Sequence, residues 1–580
     1  MLTRLLRVLA RGNPADARAA DAAAAGQRVR EAAKRYQSGD AAAAAALCRA
    51  ALALDPRQAE AWSLLARLAL GDSQLERALE CYAQVLAIDP DAPDYLVDAG
   101  EVNRRAGHVS RALELSERAL ALRPDDSRAW RVRHSALEEL GRPGEAVECL
   151  RRVVELEPGD VVAHSDLLFL LNRSGVASAA QVLAEHRAWA GAHADQLAPA
   201  VSAFANPPQP ERVLRIGYVS ADFRDHAVAY FIEPVLRQHD PTRCEVYCYF
   251  SWPHADTVTQ RLRPLAHHWR DIAAMSDEAA ARLVRDDGID ILVDLSGHTL
   301  GNRLLLFARR PAPIQMTWLG YIGTTGMKAI DYLVTDAWAD PPGVADADYS
   351  ESLLRLPHGR WCYQPPQNAP AVSALPAAAR GFPTFGSFNK FARLSVDTLR
   401  AWGRLLQRLP RARLRVIGVA PGESCDRMLQ ILEDEGVFAE RIEILGRLPF
   451  DAFLQQYREV DIALDPYPYN GATTACHSLW MGVPVVSRCG RSGAARSGAS
   501  ILTNAGLAQL VAQSWEEYLD IVQGLAADVG ALAQLRATLR QRVTASPLMD
   551  APGFTRGLET AFRVAWQEWC ARATAGRTAC

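Results

Sequence analysis

Residues 461–487, DIALDPYPYNGATTACHSLWMGVPVVS, carry the most suggestive chemistry in the chain. The apolar run Ile462–Leu464 is short enough for one buried strand, and Pro466 and Pro468 cannot continue a ladder. Asn470 and Gly471 favour a tight bend. A helix is predicted from Ala472, Thr473 and Thr474, with a threonine hydroxyl capping its free N–H groups and residues 476, 479 and 480 at helical spacing. Gly482 and Pro484 stop it, and residues 483–486 read as the next strand. Unpaired N–H groups, the positive end of a helix dipole and two hydroxyls then surround one point, which is the chemistry of a phosphate site. The same pattern also describes an ordinary strand–helix junction.

Other candidates follow predicted strands. Residues 384–389 read as a strand that delivers Asn389, Lys390 and Arg393, and Arg393 is suited to grip a phosphate bidentately where a lysine is not. Lys390 is one of only three lysines in an arginine-rich chain, with Lys34 and Lys328. Ligands of parallel sheets bind beyond the carboxyl ends of strands. Three loops meet that rule: one with Asp222 and His226, one with Asp294, His298 and Thr299, and residues 319–326, LGYIGTTG, with Gly320 and Tyr321. A histidine at a strand end can move protons, and it can equally be a core residue.

The elements behind these loops alternate. Strand-like runs at 213–219, 245–250, 289–295, 314–319 and 332–335 are separated by helical patterns, as are those at 384–389, 414–417, 441–445, 462–464 and 483–486. That alternation predicts two parallel sheets with covering helices, joined by a proline- and alanine-rich connector at 364–380. Upstream, Pro56, Pro90, Pro124 and Pro158 stand 34 residues apart. Gly39, Ser73, Gly107, Gly141 and Gly175 keep the same step, as do Ala44, Ala78, Ala112 and Ala146, and Trp62, Leu96 and Trp130. This period resembles the tetratricopeptide repeat, paired antiparallel helices stacked into a superhelix whose concave face suits an extended peptide or a protein partner. Dimerisation through the repeats, or plain scaffolding, is the competing use.

The 580 residues allow three or four domains. The divisions expected are a flexible leader at 1–30, the repeat superhelix with capping helices at 31–200, an amino-terminal lobe at 201–375, a carboxyl-terminal lobe at 376–545, and a helix and tail at 546–580. A net charge of −3 argues against nucleic acid or a membrane surface as partner. Eleven scattered cysteines without a Cys-x-x-Cys pair fit a reduced cytoplasm. Arginines interrupt the first apolar run, so a secretory signal is not expected, and no segment reads as a membrane span.

Repeats followed by two such lobes resemble the protein O-linked N-acetylglucosamine transferase family, glycosyltransferase family 41. The matching stretches are 216–223 (IGYVSADF), 307–315 (FARRPAPIQ), 318–321 (WLGY), 331–336 (DYLVTD), 385–389 (FGSFN) and 469–474 (YNGATT). Residues 310–318 and 478–484 look closer to the SPINDLY-type branch, which uses GDP-fucose. The resemblance implies an α-solenoid followed by a GT-B pair of Rossmann-like α/β lobes. It further implies inversion, no metal or other cofactor, a nucleotide-sugar donor, and protein serine or threonine acceptors reached through the repeat groove. Carried over by position, Thr473 and Thr474, with Asn389 and Lys390 nearby, meet the donor diphosphate, and Arg393 stands where the family usually has an essential lysine. His226 matches the histidine discussed as base, with Asp294 second. Thr299 and Gly320 line the sugar pocket, with His298 and Tyr321 beside them. His477 replaces an acidic residue at the ribose, and Phe450 and Phe453 replace a lysine and a histidine around uracil. Ala472 stands where the animal enzyme has a histidine. Three readings follow: transfer of N-acetylglucosamine from UDP-N-acetylglucosamine, transfer of fucose from GDP-fucose, and a repeat adaptor with inactive lobes.

Overall fold

The computed structural model describes residues 14–199, 204–419 and 421–578. The chain divides into two compact units, one running up to Glu157 with Gly422–Ser424, the other holding Pro158–Pro421 and Cys425 onward.

In the first unit, helices α1 (Pro14–Gln37), α2 (Ala41–Leu54), α3 (Ala59–Gly71), α4 (Leu75–Ile88), α5 (Pro93–Arg105), α6 (Val109–Leu122), α7 (Ser127–Glu139) and α8 (Pro143–Leu156) pack as consecutive antiparallel pairs. The 34-residue pattern is explained position by position. Gly39, Ser73, Gly107 and Gly141 all adopt positive φ (83°, 58°, 84° and 68°), the left-handed turn that ends the first helix of each pair. Ala44, Ala78, Ala112 and Ala146 are fully buried, where any larger side chain would separate the helices. The expected loose leader is corrected over its described part: α1 is helical and buries Ala25, Val29 and Ala32, because an alanine-rich segment with one small apolar stripe pairs readily with α2. Residues 1–13 lie outside the described residues.

The second unit begins with α9 (Val161–Ser174) and α10 (Ala179–Trp189). These helices, expected to cap the array, instead belong to the unit with the two lobes. Leu168 and Trp189 share an apolar core with Val219, Leu292, Phe307 and Met327, so their buried faces are spent there. Strands β1 (Leu214–Ser220), β2 (Cys244–Phe250), β3 (His268–Asp271), β4 (Ile291–Asp294), β5 (Ile314–Thr317), β6 (Tyr332–Asp336) and β7 (Ser352–Leu356) form one parallel sheet, ordered β3-β2-β1-β4-β5-β6-β7. Strands β8 (Thr384–Ser387), β9 (Arg413–Ile417), β10 (Ile442–Leu445), β11 (Ile462–Leu464), β12 (Val485–Arg488) and β13 (Val511–Ala512) form a second, ordered β10-β9-β8-β11-β12-β13. The edge strands β3, β7 and β13 carry weak strand signals: β3 (HWRD) is largely polar, β7 (SLLRL) is interrupted by an arginine, and β13 (VA) is two residues long.

Helix α11 (Ala472–Trp480) follows β11, and α12 (Ala551–Thr578) returns from the second lobe to cover the first. Phe554 stacks on Trp318 with centroids 5.8 Å apart, and Trp566 Nε1 donates to Gln209 O at 3.0 Å. Glu559 is buried and accepts from Asp240 N at 2.9 Å.

Ser73 is the one repeat turn where a side chain bears the left-handed strain. Ser73→Gly is expected to stabilise the array by about 0.5–1 kcal/mol, and Gly107→Ser to destabilise it by about 1 kcal/mol. Opposite shifts of the array's thermal transition are the check; shifts of the same sign contradict this account.

Candidate active site

The register of the first sheet brings its loops together. Val219 pairs with Asp294 and Asp294 with Thr317, so β1, β4 and β5 end side by side and the loops beyond them are neighbours. The first loop presents His226, whose side chain is 40% exposed, with Nδ1 3.4 Å from Asp222 Oδ2. Val228 N also lies 3.4 Å from Nδ1, so the ring's tautomer decides between donating to Asp222 and accepting from Val228. Burial lowers the His226 pKa against the pull of Asp222, and Arg224 and Lys390 lower it further. Burial raises that of Asp222 against the opposing charges of His226 and Arg224. His226 is therefore held neutral, the form that accepts a proton. Four residues on, Tyr230 meets His477 of the other lobe edge-on at 4.9 Å, so the two lobes' loops face one another across one crevice.

The second and third loops interlock. Gly320 packs so closely that a Cβ there would lie 2.0 Å from the Leu295 carbonyl oxygen. Thr299 is half-buried and its hydroxyl donates to Ser296 O at 2.7 Å. Three sequence candidates are corrected here. Asp294 is buried and accepts from Ser296 N (3.0 Å), Gly297 N (2.8 Å) and Thr317 Oγ1 (2.8 Å), so it braces the turn instead of facing a substrate; burial raises its pKa to about 6. His298 is 2% exposed, with Nε2 donating to Thr325 O at 2.9 Å and Nδ1 3.3 Å from Ser165 Oγ. Burial holds it well below the ordinary histidine range. Tyr321 is likewise buried, its hydroxyl 2.7 Å from His186 Nε2. Both are pins behind the crevice, because the helices α9 and α10 cover the side of the loops they occupy.

In the second lobe, the turn between β11 and α11 is folded by its own side chains. Asp465 accepts from Gly471 N at 2.8 Å and Ser487 Oγ at 2.6 Å, and burial raises its pKa to about 6 against the nearby charge of Arg393. Asn470 Nδ2 donates to Pro466 O at 2.9 Å, and its Oδ1 accepts from Gly498 N at 3.2 Å. Tyr467 O accepts from Ser395 Oγ (2.7 Å) and Thr398 Oγ1 (2.8 Å), tying the turn to the segment that carries Arg393. The predicted threonine cap is absent: Gly471 is the residue before α11, and Thr473 and Thr474 sit inside its first turn. Thr474 Oγ1 lies 3.1 Å from Gly471 O and 3.3 Å from Asn389 Oδ1. The amides of Ala472, Thr473 and Thr474 consequently have no acceptor among the described residues, and an anion can take them. Gly471 itself has φ −90°, so its role is space: a Cβ would lie 2.2 Å from Thr474 Oγ1 and 2.7 Å from Asn389 Oδ1. Beside this turn the Arg393 guanidinium lies 4.9 Å over the ring of Tyr469. Lys390 is exposed and Asn389 buried.

The residues singled out for a nucleoside gather in an aromatic cluster between the lobes. Phe450 stacks with Phe453 (6.2 Å, 18°), and Tyr230 of the first lobe meets His477 edge-on at 4.9 Å. His477 is 3% exposed, lies 2.8 Å from Tyr363 OH through Nδ1, and is held neutral by burial, its pKa near 3. A cavity of about 190 Å³ opens against Tyr230, Arg261, Gln364, Asn368 and Phe450. A second, of about 380 Å³, lies between α9–α10 and both lobes. Tyr230 and Tyr363 come from distant segments and carry no signal of their own in the sequence, whereas Asp465 and Tyr469 lie within 461–487, where the stretch is conspicuous but their individual contacts are not legible.

The glycosyl transferase family 41 profile matches residues 178–363 and 374–558, and tetratricopeptide profiles match 35–99, 69–136 and 135–160. The chain is 40% identical over 425 residues to a probable UDP-N-acetylglucosamine–peptide N-acetylglucosaminyltransferase SPINDLY of Hordeum vulgare, covering 72% of this chain and 45% of the barley protein. To the Arabidopsis thaliana protein of the same designation with the name SEC it is 32% identical over 371 residues, covering 62% of this chain and 37% of that one. The chain thus spans less than half the length of these plant relatives. A Thermobaculum terrenum O-GlcNAc transferase mutant superposes with a TM-score of 0.79 at 40% identity, over 89% of this chain and 98% of that one.

Gly471→Ala is expected to push Thr474 and Asn389 apart and to weaken inorganic pyrophosphate binding about tenfold, with a stability loss of about 1–3 kcal/mol. Thermal shift against pyrophosphate reads both effects. Undiminished protection would show that the anion does not sit at this turn.

Proposed function

Because this chain belongs to glycosyltransferase family 41, we propose that it is a protein O-glycosyltransferase carrying N-acetylglucosamine from UDP-N-acetylglucosamine to serine or threonine hydroxyls, inverting and metal-independent. The observation that carries this reading is the pairing across one crevice: an open helix start with Arg393 beside it on one lobe, and a neutral His226 on the other.

The acceptor oxygen attacks the anomeric carbon, the bond to the diphosphate oxygen breaks, and the hydroxyl proton leaves to a base. Negative charge grows on the departing nucleoside diphosphate, so fixed positive potential there lowers the barrier more than the same charge elsewhere. The free amides of residues 472–474, the hydroxyls of Thr473 and Thr474 and the Arg393 guanidinium supply it; stacking on Tyr469 keeps the guanidinium in place. His226 takes the proton, and Asp222 beside it favours the imidazolium that results. Thr299 and Gly320 border the sugar, and the aromatic cluster around Phe450, Phe453 and His477 takes the nucleoside. The repeat array holds the acceptor protein. The free cysteines among the described residues fit a reducing compartment such as the cytoplasm. Among those residues no helix is long and apolar enough to cross a membrane.

Arg393→Ala is expected to lower transfer at least a hundredfold in the presence of EDTA. UDP at a hundred times its dissociation constant should stabilise the native protein by about 2.7 kcal/mol, and GDP at the same concentration by less. Near-native turnover of the variant overturns the leaving-group site, and stronger protection by GDP overturns the donor.

The acid limb of kcat/KM should lie below the ordinary histidine range, since burial depresses the His226 pKa and its base form survives into mild acid. Asp222→Asn removes the charge that favours the imidazolium, so this limb should move to still lower pH while kcat falls. An unmoved limb would exclude His226 as the titrating base.

A further inference from the structure

Helix α9 touches both sides of the crevice. Toward the first lobe, Asn172 Nδ2 donates to Ile322 O at 2.8 Å, and Ser165 Oγ meets His298 Nδ1 at 3.3 Å. Its partner α10 adds His186. That ring's Nδ1 faces Val182 O at 2.7 Å; a carbonyl can only accept, so the proton sits on Nδ1 and Nε2 accepts the Tyr321 hydroxyl. The loop that carries Gly320 is therefore gripped at the next two residues, Tyr321 and Ile322. Toward the second lobe, Arg173 Nη1 donates to Ala392 O at 3.0 Å, one residue before Arg393. Phe169 lies edge-on to Tyr469 at 6.4 Å, the ring on which the Arg393 guanidinium rests, and tilted to Tyr321 at 6.2 Å. Arg173 in turn lies 5.5 Å over Phe169.

We infer that α9 and α10 form a crossbar that sets the spacing of the two lobes at the reaction centre, with Phe169, Asn172, Arg173 and His186 as positioning residues. None of the four is assigned contact with a substrate. Each holds a neighbour of a residue that is: Tyr321 and Ile322 beside Gly320, Ala392 and Tyr469 beside Arg393. Two sheets joined by a connector and the returning α12 can hinge, and an ångström of misplacement at a reacting centre costs up to about a hundredfold in rate. One helix that binds the backbone on both sides removes that freedom. The inference rests on the crevice being the site of transfer proposed above.

The test uses the full chain carrying Arg173→Ala or Asn172→Ala, both at half-buried positions, with Val162→Ala on the exposed face of α9 as control. Three quantities are read: kcat, UDP affinity, and hydrogen exchange of segments 319–326 and 389–394. The crossbar predicts a tenfold to hundredfold fall in kcat for the two crossbar variants. UDP affinity should change less than threefold, exchange should quicken in both segments, and the thermal transition should stay put. Val162→Ala should match the native protein throughout. A kcat within twofold of native, or a general loss of protection across the second unit, overturns the inference. Should the native protein transfer no sugar, it is the proposed reaction that falls. Exchange alone then decides: coupled quickening of both segments supports the crossbar, and unchanged exchange refutes it.

Discussion

The open first turn of α11 is the constraint around which the second unit is arranged. Three backbone amides with no acceptor among the described residues are tolerable only where water or an anion reaches them, so the turn must stay at the crevice and must not be capped. Asp465, Asn470, Ser395 and Thr398 all bond to the preceding turn and leave that end of the helix clear. Arg393 adds a full charge where the dipole gives only a fraction. Its guanidinium is less strongly hydrated than an ammonium and lies over the ring of Tyr469, a packing that a lysine in the same place would not reproduce.

Burial sorts the histidines into two groups. His186, His298 and His477 are enclosed and neutral, each spending ring nitrogens on protein partners, so they act as shaped hydrogen-bonding blocks. His226 is also held neutral, yet its side chain keeps access to solvent and a carboxylate at hand. Only that combination suits proton transfer: the ring is a base at rest, and its charged form has a partner waiting. The carboxylates divide in the same way. Asp294 and Asp465 serve as acceptors for loop amides and hydroxyls, whereas Asp222 lies next to a titrating ring.

Remote segments complete the unit. Helix α12 closes the first lobe from the far end of the chain, and α9–α10 close the crevice from the near end, so both flanks of the lobes in sequence are bound back onto them. A bilobal fold gains from such straps because the contact between the lobes is itself interrupted by cavities.

The sequence alone determined what depends on local periodicity and on residue type at a strand end. The 34-residue step was legible because every unit repeats the same turn and the same close helix contact, at Gly107 and Ala112 as at Gly141 and Ala146. The central strands were legible as apolar runs, and the loops beyond them followed from the rule that parallel sheets bind at their carboxyl ends. Tertiary structure decided the rest. Asp294, His298 and Tyr321 have the right types in the right loops, yet His298 and Tyr321 point behind the crevice to partners on α9 and α10, and Asp294 turns back onto the amides and hydroxyl of its own loop and strand. The same holds for Gly471, chosen for the space between Thr474 and Asn389 and not for its φ, and for α1 and α9–α10, whose membership of a unit depends on which face finds a partner. Spacing along a chain reports periodicity. Contacts between segments a hundred or more residues apart, such as Phe169 with Tyr469, leave no trace in it.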